Sequence, residues 1–119
     1  MKRSLEQLQA QVLAFRDARD WQQFHNPKDL ALVLAVEVGE VLDLFRFQSP
    51  AEIEGKLKRG ELPELATELA DVFNLLLLLA EASGVDLARA LDEKLTELDS
   101  RYPVERVKGR KEKYTEYRD

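Results

Sequence analysis

Two long apolar segments constrain the fold of this chain more than any other feature of its sequence. The first, LALVLAVEVGEVLDLF, covers residues 30–45, and the second, ELATELADVFNLLLLLA, covers residues 64–80. As helices, both would carry apolar side chains around much of the cylinder, and a helix of that kind must be buried on all sides. No segment of the chain shows the period-two alternation of a strand. The pattern therefore predicts an all-α protein built around these two helices.

Capping signals predict where the first two helices begin and end. Ser4 and Gln7 have the spacing of a capping box, which starts the first helix. Asn26-Pro27 combines an N-cap side chain with a proline that needs no amide partner, so the second helix is predicted to begin there. Ser49-Pro50 is interpreted as the end of that helix.

The second half of the chain is predicted to hold two more helices. Residues 49–62 are interpreted as a connector with room for one short helical turn. The third helix is predicted to start near Pro63 and to end before Gly84, which is placed as a C-cap. Asp86 caps the fourth helix, and Pro103 stops it. The predicted architecture is a four-helix-type bundle.

Two helices that are apolar all round cannot be covered by the other helices of one small bundle. We therefore expect a helix interface between copies of the chain, and a homodimer or a dimer of dimers is the usual closed form. A tightly wrapped monomer is the alternative. By its length of 119 residues the chain is expected to be a single domain over residues 1–119, with a mobile basic tail at 104–119.

Composition argues against several other classes of protein. The net charge of −5 argues against a general nucleic-acid binder, which normally has a basic face. The absence of cysteine excludes a disulfide framework and a cysteine-based metal site. The longest uninterrupted apolar run, residues 75–80, is far shorter than the ~20 residues that span a bilayer, and the N-terminus lacks the apolar run of a signal peptide. We expect a cytoplasmic protein without nucleic-acid or membrane partners.

Carboxylates interrupt both apolar segments at helical spacing. Glu37 and Glu40 are three residues apart, as are Glu68 and Asp71, and residues at that spacing share one face of a helix. If the two helices pack antiparallel, the pairs can converge in the core, where shared protons or cations must balance their repulsion. A cluster of oxygen ligands without cysteine or histidine selects hard ions, Mg²⁺ or Mn²⁺.

Two other interpretations of the acids were weighed. A single Glu-x-x-Glu motif is typical of a solvated helix face, but two such motifs inside apolar helices are harder to explain as surface charge. A di-iron bundle also places carboxylates on its helices, but it needs two Glu-x-x-His pairs. The only histidine here, His25, falls in a predicted loop.

Five stretches of the sequence, in order, resemble the all-α nucleoside triphosphate pyrophosphatases of the MazG-like superfamily, and more closely their dCTP pyrophosphatase branch. They are FRDARDWQQFHNPKDL, EVGEVLDLF, ELADVFNLL, RYPVERVKG and KYTEY. The resemblance covers nearly the whole chain and implies an all-helical dimer or tetramer. It further implies Mg²⁺-dependent hydrolysis of a nucleoside triphosphate to monophosphate and pyrophosphate. The favoured substrates would be dCTP-like pyrimidine nucleotides, and the role would be house-cleaning of the nucleotide pool.

The resemblance also assigns the site residues. Four acids take the metal-binding and catalytic roles: Glu37, Glu40, Glu68 and Asp71. Trp21 and His25 match the segment that lines the nucleotide pocket, and Phe47 matches a tryptophan that packs on the base; plain packing is the alternative for both aromatic residues. Asn74 is a candidate for polar contacts to the base or sugar. Val12 and Leu75 stand where a histidine and a tyrosine are expected, so strict cytosine selectivity is not implied.

The triphosphate requires cations, and the chain offers a set of candidate residues: Lys28, Lys108, Arg110, Lys111 and Lys113. A basic tail that folds over the bound triphosphate is one hypothesis for those in the C-terminal segment. Water would attack the α-phosphorus and pyrophosphate would leave, with magnesium on the acids balancing the charge; which carboxylate orients that water stays open. The alternatives are a non-catalytic helical interaction module and a nucleotide sensor, each with a metal-stabilised acidic core.

Overall fold

The computed structural model describes residues 2–111 and Thr115, and every regular element in that part of the chain is helical, as predicted. The elements in order are α1 (Leu5–Ala18), a short 3-10 helix (Gln22–Phe24), α2 (Pro27–Phe45), α3 (Pro50–Lys58), α4 (Glu64–Ser83), α5 (Leu87–Arg101) and α6 (Val104–Val107). The four predicted helices correspond to α1, α2, α4 and α5. In the same part of the chain, no helix combines the length and the apolar character that a bilayer crossing requires.

The caps form where the local sequence predicts them. The Ser4 hydroxyl accepts a hydrogen bond from the amide of Gln7 at 3.1 Å, and the Gln7 side chain accepts one from the amide of Ser4 at 2.7 Å. Asn26 caps α2 and Asp86 caps α5 through side-chain oxygens that accept from backbone amides. Gly84 ends α4 at a φ of 68°, a conformation that glycine adopts without strain.

The connector predicted over residues 49–62 is wrong, because its first part is the nine-residue helix α3. Ser49 does not close α2. Its hydroxyl accepts from the amide of Glu52 at 3.1 Å, and Pro50 is the first residue of α3, so Ser-Pro acts here as a start signal. The second helix ends at Phe45, and Phe47 turns the chain with a positive φ of 63°.

The described residues up to Val85 form one compact unit, with α4 at its centre. Helix α4 packs most extensively against α2 and also against α1. The buried apolar side chains of this unit come from the start of α2 and the end of α4: Leu30, Leu77, Leu78 and Ala80. In the interior, the first turn of α2 therefore packs against the last turns of α4, which is the arrangement of an antiparallel helix pair.

The described residues from Asp86 onwards form a second unit, which contains α5 and α6. Ion pairs run along α5, between Arg89 and Glu93 at 3.0 Å and between Arg101 and Glu97 at 2.6 Å. Leu91 and Leu95 of α5 are exposed.

Both apolar helices of the first unit keep large side chains in contact with solvent. Leu32, Val36 and Leu42 of α2 are 59%, 60% and 64% exposed, and Leu69 and Phe73 of α4 are 50% and 40% exposed. Each helix therefore buries only one side within a single chain, which leaves the other side available for an interface.

Candidate functional site

Three carboxylates meet where α2 packs against α4. One carboxylate oxygen from each of Glu37, Glu68 and Asp71 lies within 4.8 Å of the corresponding oxygens of the other two. Glu68 and Asp71 share a face of α4 because they are three residues apart, and α2 brings Glu37 to that face. Glu37 and Glu68 are half-buried. One divalent cation could contact all three residues.

The surroundings of Glu68 favour a positive charge in this cluster. Burial raises the pKa of the Glu68 carboxyl, and the nearby carboxylates of Asp71, Glu40 and Glu37 raise it further. Both causes penalise the ionised form, and a bound cation would relieve both. The cluster consists of carboxylate oxygens only, which suits a hard ion such as Mg²⁺.

Two further acids, Glu40 and Asp43, follow Glu37 along α2. Glu40 is exposed and is not one of the three converging residues, yet it is near enough to raise the pKa of Glu68. Asp43 is bound by Arg46 at 3.2 Å. The acidic series on α2 therefore ends in a surface ion pair one turn beyond Glu40.

A cavity of about 230 Å³ lies next to the acids, bounded by α1, the 3-10 segment, α2 and α4. Most of its wall is apolar or aromatic, from Val12, Phe15, Trp21, Val33, Leu75 and Leu78. Val33 comes one turn before Glu37 on α2, and Asn74 comes three residues after Asp71 on α4, so the cavity begins about one helical turn (~5.4 Å) from the acids. A cavity of ~150 Å³ holds a benzene ring, so this one is large enough for a single aromatic heterocycle.

Aromatic packing positions Trp21 in the cavity wall. Its ring meets Phe15 edge to face, with centroids 5.9 Å apart, and the Arg19 guanidinium lies 3.6 Å from the Phe15 centroid. The backbone amide of Trp21 donates to the carbonyl of Arg16 at 3.1 Å, which ties the 3-10 segment to the end of α1. These contacts hold an indole that is 45% exposed at the cavity.

Polar groups from three elements complete the cavity: Arg16, His25 and Asn74. Among the described residues, only two buried side-chain atoms lack a hydrogen-bond partner, and Nδ1 of His25 is one of them. A buried nitrogen without a partner is costly unless a ligand or water satisfies it. Trp21, His25 and Asn74, predicted from the sequence as substrate contacts, therefore surround one cavity.

The other predicted contacts are not among the described residues that line the cavity. Phe47 does not line the cavity; it is 94% exposed, with the Arg46 guanidinium 5.3 Å from its ring centroid. The Lys28 side chain is 82% exposed and pairs with Asp29 at 3.7 Å. Lys108, Arg110 and Lys111 belong to the second unit, and Lys113 lies outside the described residues. All six stay predictions.

Phe15 and Arg16 were not predicted as site residues. Phe15 continues the apolar spacing of α1 and is typical of a packing residue. Arg16 lies four residues after Val12, on the same apolar face of α1. A charged residue on an apolar helix face was the sequence signal that could have identified it. Val12 and Leu75, the two departures from the expected pattern, both line the same cavity.

Comparisons with known proteins agree with this geometry. A profile of the MazG-like family matches residues 32–117. The dCTP pyrophosphatase 1 of Rattus norvegicus is 40% identical over 114 residues, which cover 95% of this chain and 67% of the relative, and that of Homo sapiens is 37% identical over 115 residues with the same coverage. The crystal structure of a pyrophosphatase from Archaeoglobus fulgidus DSM 4304 superposes with a TM-score of 0.76 at 29% identity, covering 87% of this chain and 95% of that chain. The chain therefore belongs to the MazG-like family, in the nucleotide pyrophosphatase branch that contains these dCTP pyrophosphatases.

Proposed function

We propose that this chain hydrolyses nucleoside triphosphates, with a preference for dCTP-like pyrimidine nucleotides, to monophosphate and pyrophosphate in the presence of Mg²⁺. It would act through one MazG-like domain over residues 1–119. The observation that carries the proposal is the position of the converging acids Glu37, Glu68 and Asp71 one helical turn from a cavity lined by aromatic side chains. By its family the chain is a hydrolase of the nucleotide pyrophosphatase type.

Each part of the site has a role in this reaction. Glu37, Glu68 and Asp71, with Glu40 as a fourth ligand, would hold the cation. When bound, the ion supplies charge neutralisation at the triphosphate and lowers the pKa of a coordinated water. Carboxylate oxygens not occupied by the ion can accept a hydrogen bond from the attacking water and orient it towards the α-phosphorus.

The cavity would hold the base at a fixed distance from these acids. Trp21 offers an aromatic face for stacking, supported from the side by Phe15. Val33 and Leu78 give the cavity an apolar wall where the two helices pack. Because the cavity begins one turn from the acids, a base bound there would bring its α-phosphate towards the metal ligands.

A substrate panel tests the proposed activity. The purified protein is incubated with Mg²⁺ and each canonical ribo- and deoxyribonucleoside triphosphate, and the products are separated by ion-exchange chromatography. We expect equal amounts of monophosphate and pyrophosphate. Release of orthophosphate would place the broken bond elsewhere, and no turnover of any nucleotide would favour the interaction module or sensor.

Trp21 is the only tryptophan of the chain, so its fluorescence reports directly on the cavity. We expect a non-hydrolysable dCTP analogue with Mg²⁺ to shift or quench the emission in a saturable manner, because stacking removes the indole from water. Mg²⁺ alone should change it little. Emission that stays constant at analogue concentrations well above the KM measured for dCTP would show that the base binds elsewhere.

We further propose that the chain assembles as a homodimer or a dimer of dimers through the exposed faces of α2 and α4. Leu32, Val36 and Leu42 of α2 and Leu69 and Phe73 of α4 supply the apolar surface. Burial of such side chains contributes roughly 25 cal/mol per Å² of apolar area, which provides the driving force for association.

The assembly is tested by replacing Leu42, which is 64% exposed on α2. Light scattering coupled to size exclusion should give two or four times the chain mass of 13.7 kDa for the wild type. Leu42→Lys should lower that mass because it places a charge in an apolar interface, and Leu42→Met, which keeps the apolar volume, should not. A wild type that elutes at the mass of one chain would contradict the proposed assembly.

A further inference from the structure

We propose that Arg16 selects the base by donating two hydrogen bonds from its guanidinium to the adjacent carbonyl oxygen and ring nitrogen of a cytosine-type base. This role depends on the proposed function, because it names the base that the cavity holds. Nothing in the chain's spacing or its family resemblance assigned a role to Arg16.

Arg16 is the one buried charged residue among those that the structure describes. Its side chain is 8% exposed, and its Nε donates to the Asp17 carboxylate at 2.8 Å. Within residues 2–111 and Thr115, its two terminal nitrogens have no hydrogen-bond partner. These nitrogens are not fully buried, so they keep some contact with water, and a ligand that supplies acceptors at the cavity would replace that water.

The cavity that Arg16 lines contains few acceptors of its own. Val12 lies one helical turn from Arg16 on the same face of α1, and Leu75 and Leu78 face it from α4. Nδ1 of His25, which is buried without a hydrogen-bond partner, belongs to a residue of the same cavity wall. A polar ligand in the cavity could bind both groups, and a nucleobase supplies an aromatic ring with polar atoms on its edge.

The donor pattern of Arg16 decides which base fits. A guanidinium only donates, and its terminal nitrogens form a planar fork that matches two adjacent acceptors. Cytosine presents such a pair in its 2-carbonyl oxygen and N3. Uracil and thymine carry a hydrogen on N3, so this N–H donor would face the N–H donors of Arg16. Adenine also lacks a pair of adjacent acceptors, because its N1 and N7 each lie beside the exocyclic amine, which is a donor.

Guanine also presents two adjacent acceptors, O6 and N7, so the fork of Arg16 does not exclude it, and the comparison of dCTP with dGTP tests that base separately. The cavity of about 230 Å³ is large enough for the single ring of cytosine. The exocyclic amine of cytosine then needs an acceptor, and the amide oxygen of Asn74 is available in the same wall. Bidentate reading of a base by arginine is typically worth a discrimination of roughly 10- to 100-fold.

The test compares kcat/KM for dCTP, dTTP, dUTP, dATP and dGTP in wild type, Arg16→Met and Arg16→Lys. We expect the wild type to prefer dCTP over dTTP by roughly 10- to 100-fold, and Arg16→Met to reduce that ratio to within about threefold of one. Arg16→Lys should keep part of the preference, because lysine donates without the fork geometry. Arg89→Met, which removes an exposed arginine of α5, is the matched control and should keep the wild-type ratio.

A substrate analogue tests the same contact without any mutation. In 3-deaza-dCTP a C–H group replaces N3, so the fork loses one of its two acceptors. We expect wild type to use this analogue at least 10-fold less well than dCTP, and Arg16→Met to treat the two nearly alike. The comparison stays informative even if the arginine variants prove unstable by circular dichroism.

The possible failures are distinguishable. Turnover with a preference for dTTP or dUTP, or an unchanged dCTP to dTTP ratio in a folded Arg16→Met protein, would overturn the role of Arg16 and leave the proposed hydrolysis to monophosphate and pyrophosphate standing. Equal kcat/KM of the wild type for dCTP and 3-deaza-dCTP would also overturn the role of Arg16 without affecting the proposed hydrolysis. No turnover of any triphosphate by wild type would overturn both proposals.

Discussion

Asp71→Asn and Glu37→Gln are each expected to lower kcat/KM for the preferred triphosphate about 10³-fold. The substitutions keep the size of each side chain but remove one charge from the cluster in which Glu37, Glu68 and Asp71 converge. A metal ion supplies several kcal/mol of transition-state stabilisation, and each 1.36 kcal/mol corresponds to a factor of ten in rate. Loss of a ligand therefore affects the reaction far more than it affects the fold.

Glu81→Gln is the matched control for these variants. Glu81 lies on α4, the helix that carries Asp71, but three turns further along, and its side chain is exposed. Its neutralisation should leave kcat/KM within about twofold of wild type, as is usual for a surface substitution. Circular dichroism should show the same helix content in all three variants. Full activity in Asp71→Asn or Glu37→Gln would remove that residue from the site.

Removal of divalent ions is expected to have an effect of similar size. Dialysis against EDTA should abolish hydrolysis, and Mg²⁺ or Mn²⁺ should restore it, because nothing else in the acidic cluster can balance the charge of the triphosphate. The ion should also stabilise the fold, since it binds a site that exists only when α2 and α4 are packed together. At ten times its Kd, a ligand of this kind contributes about 1.4 kcal/mol.

Thermal unfolding with and without Mg²⁺ measures that stabilisation. A gain of this size should raise the melting temperature of a chain of this length by roughly 5 °C. Glu68→Gln should lose most of the shift, and Glu81→Gln should keep it. Hydrolysis that continues at full rate in EDTA would exclude a role for the acids as ligands of an essential ion.

The parts of the fold that depend on local sequence were predictable. The caps at Ser4, Asn26, Gly84 and Asp86 depend on residues within one turn of each helix end, and all four form as expected. The long helices follow from apolar periodicity, which is also a local property. The end of α2 was not predictable in the same way, because the Ser-Pro pair is compatible with a stop as well as with a start.

The site was predictable only in part, because distant segments build it. The spacing of Glu37, Glu68 and Asp71 indicated that the acids could converge, and α2 and α4 do bring them within 4.8 Å. The buried position of Arg16 depends on how α1 packs against α4, and its place four residues after Val12 was the only local signal for it. The exposure of Phe47 likewise follows from a backbone turn after α2 that the sequence pattern did not indicate.

The most direct test of the central claim is a titration with Mn²⁺ followed by electron paramagnetic resonance, in which free Mn²⁺ gives a signal that binding suppresses. If Glu37, Glu68 and Asp71 hold a divalent ion, wild type and Glu81→Gln should bind at least one Mn²⁺ per chain, and Asp71→Asn and Glu68→Gln should bind it much more weakly. A wild type that leaves the free Mn²⁺ signal unchanged, or an Asp71→Asn protein that binds as tightly as wild type, would contradict a shared metal site between α2 and α4.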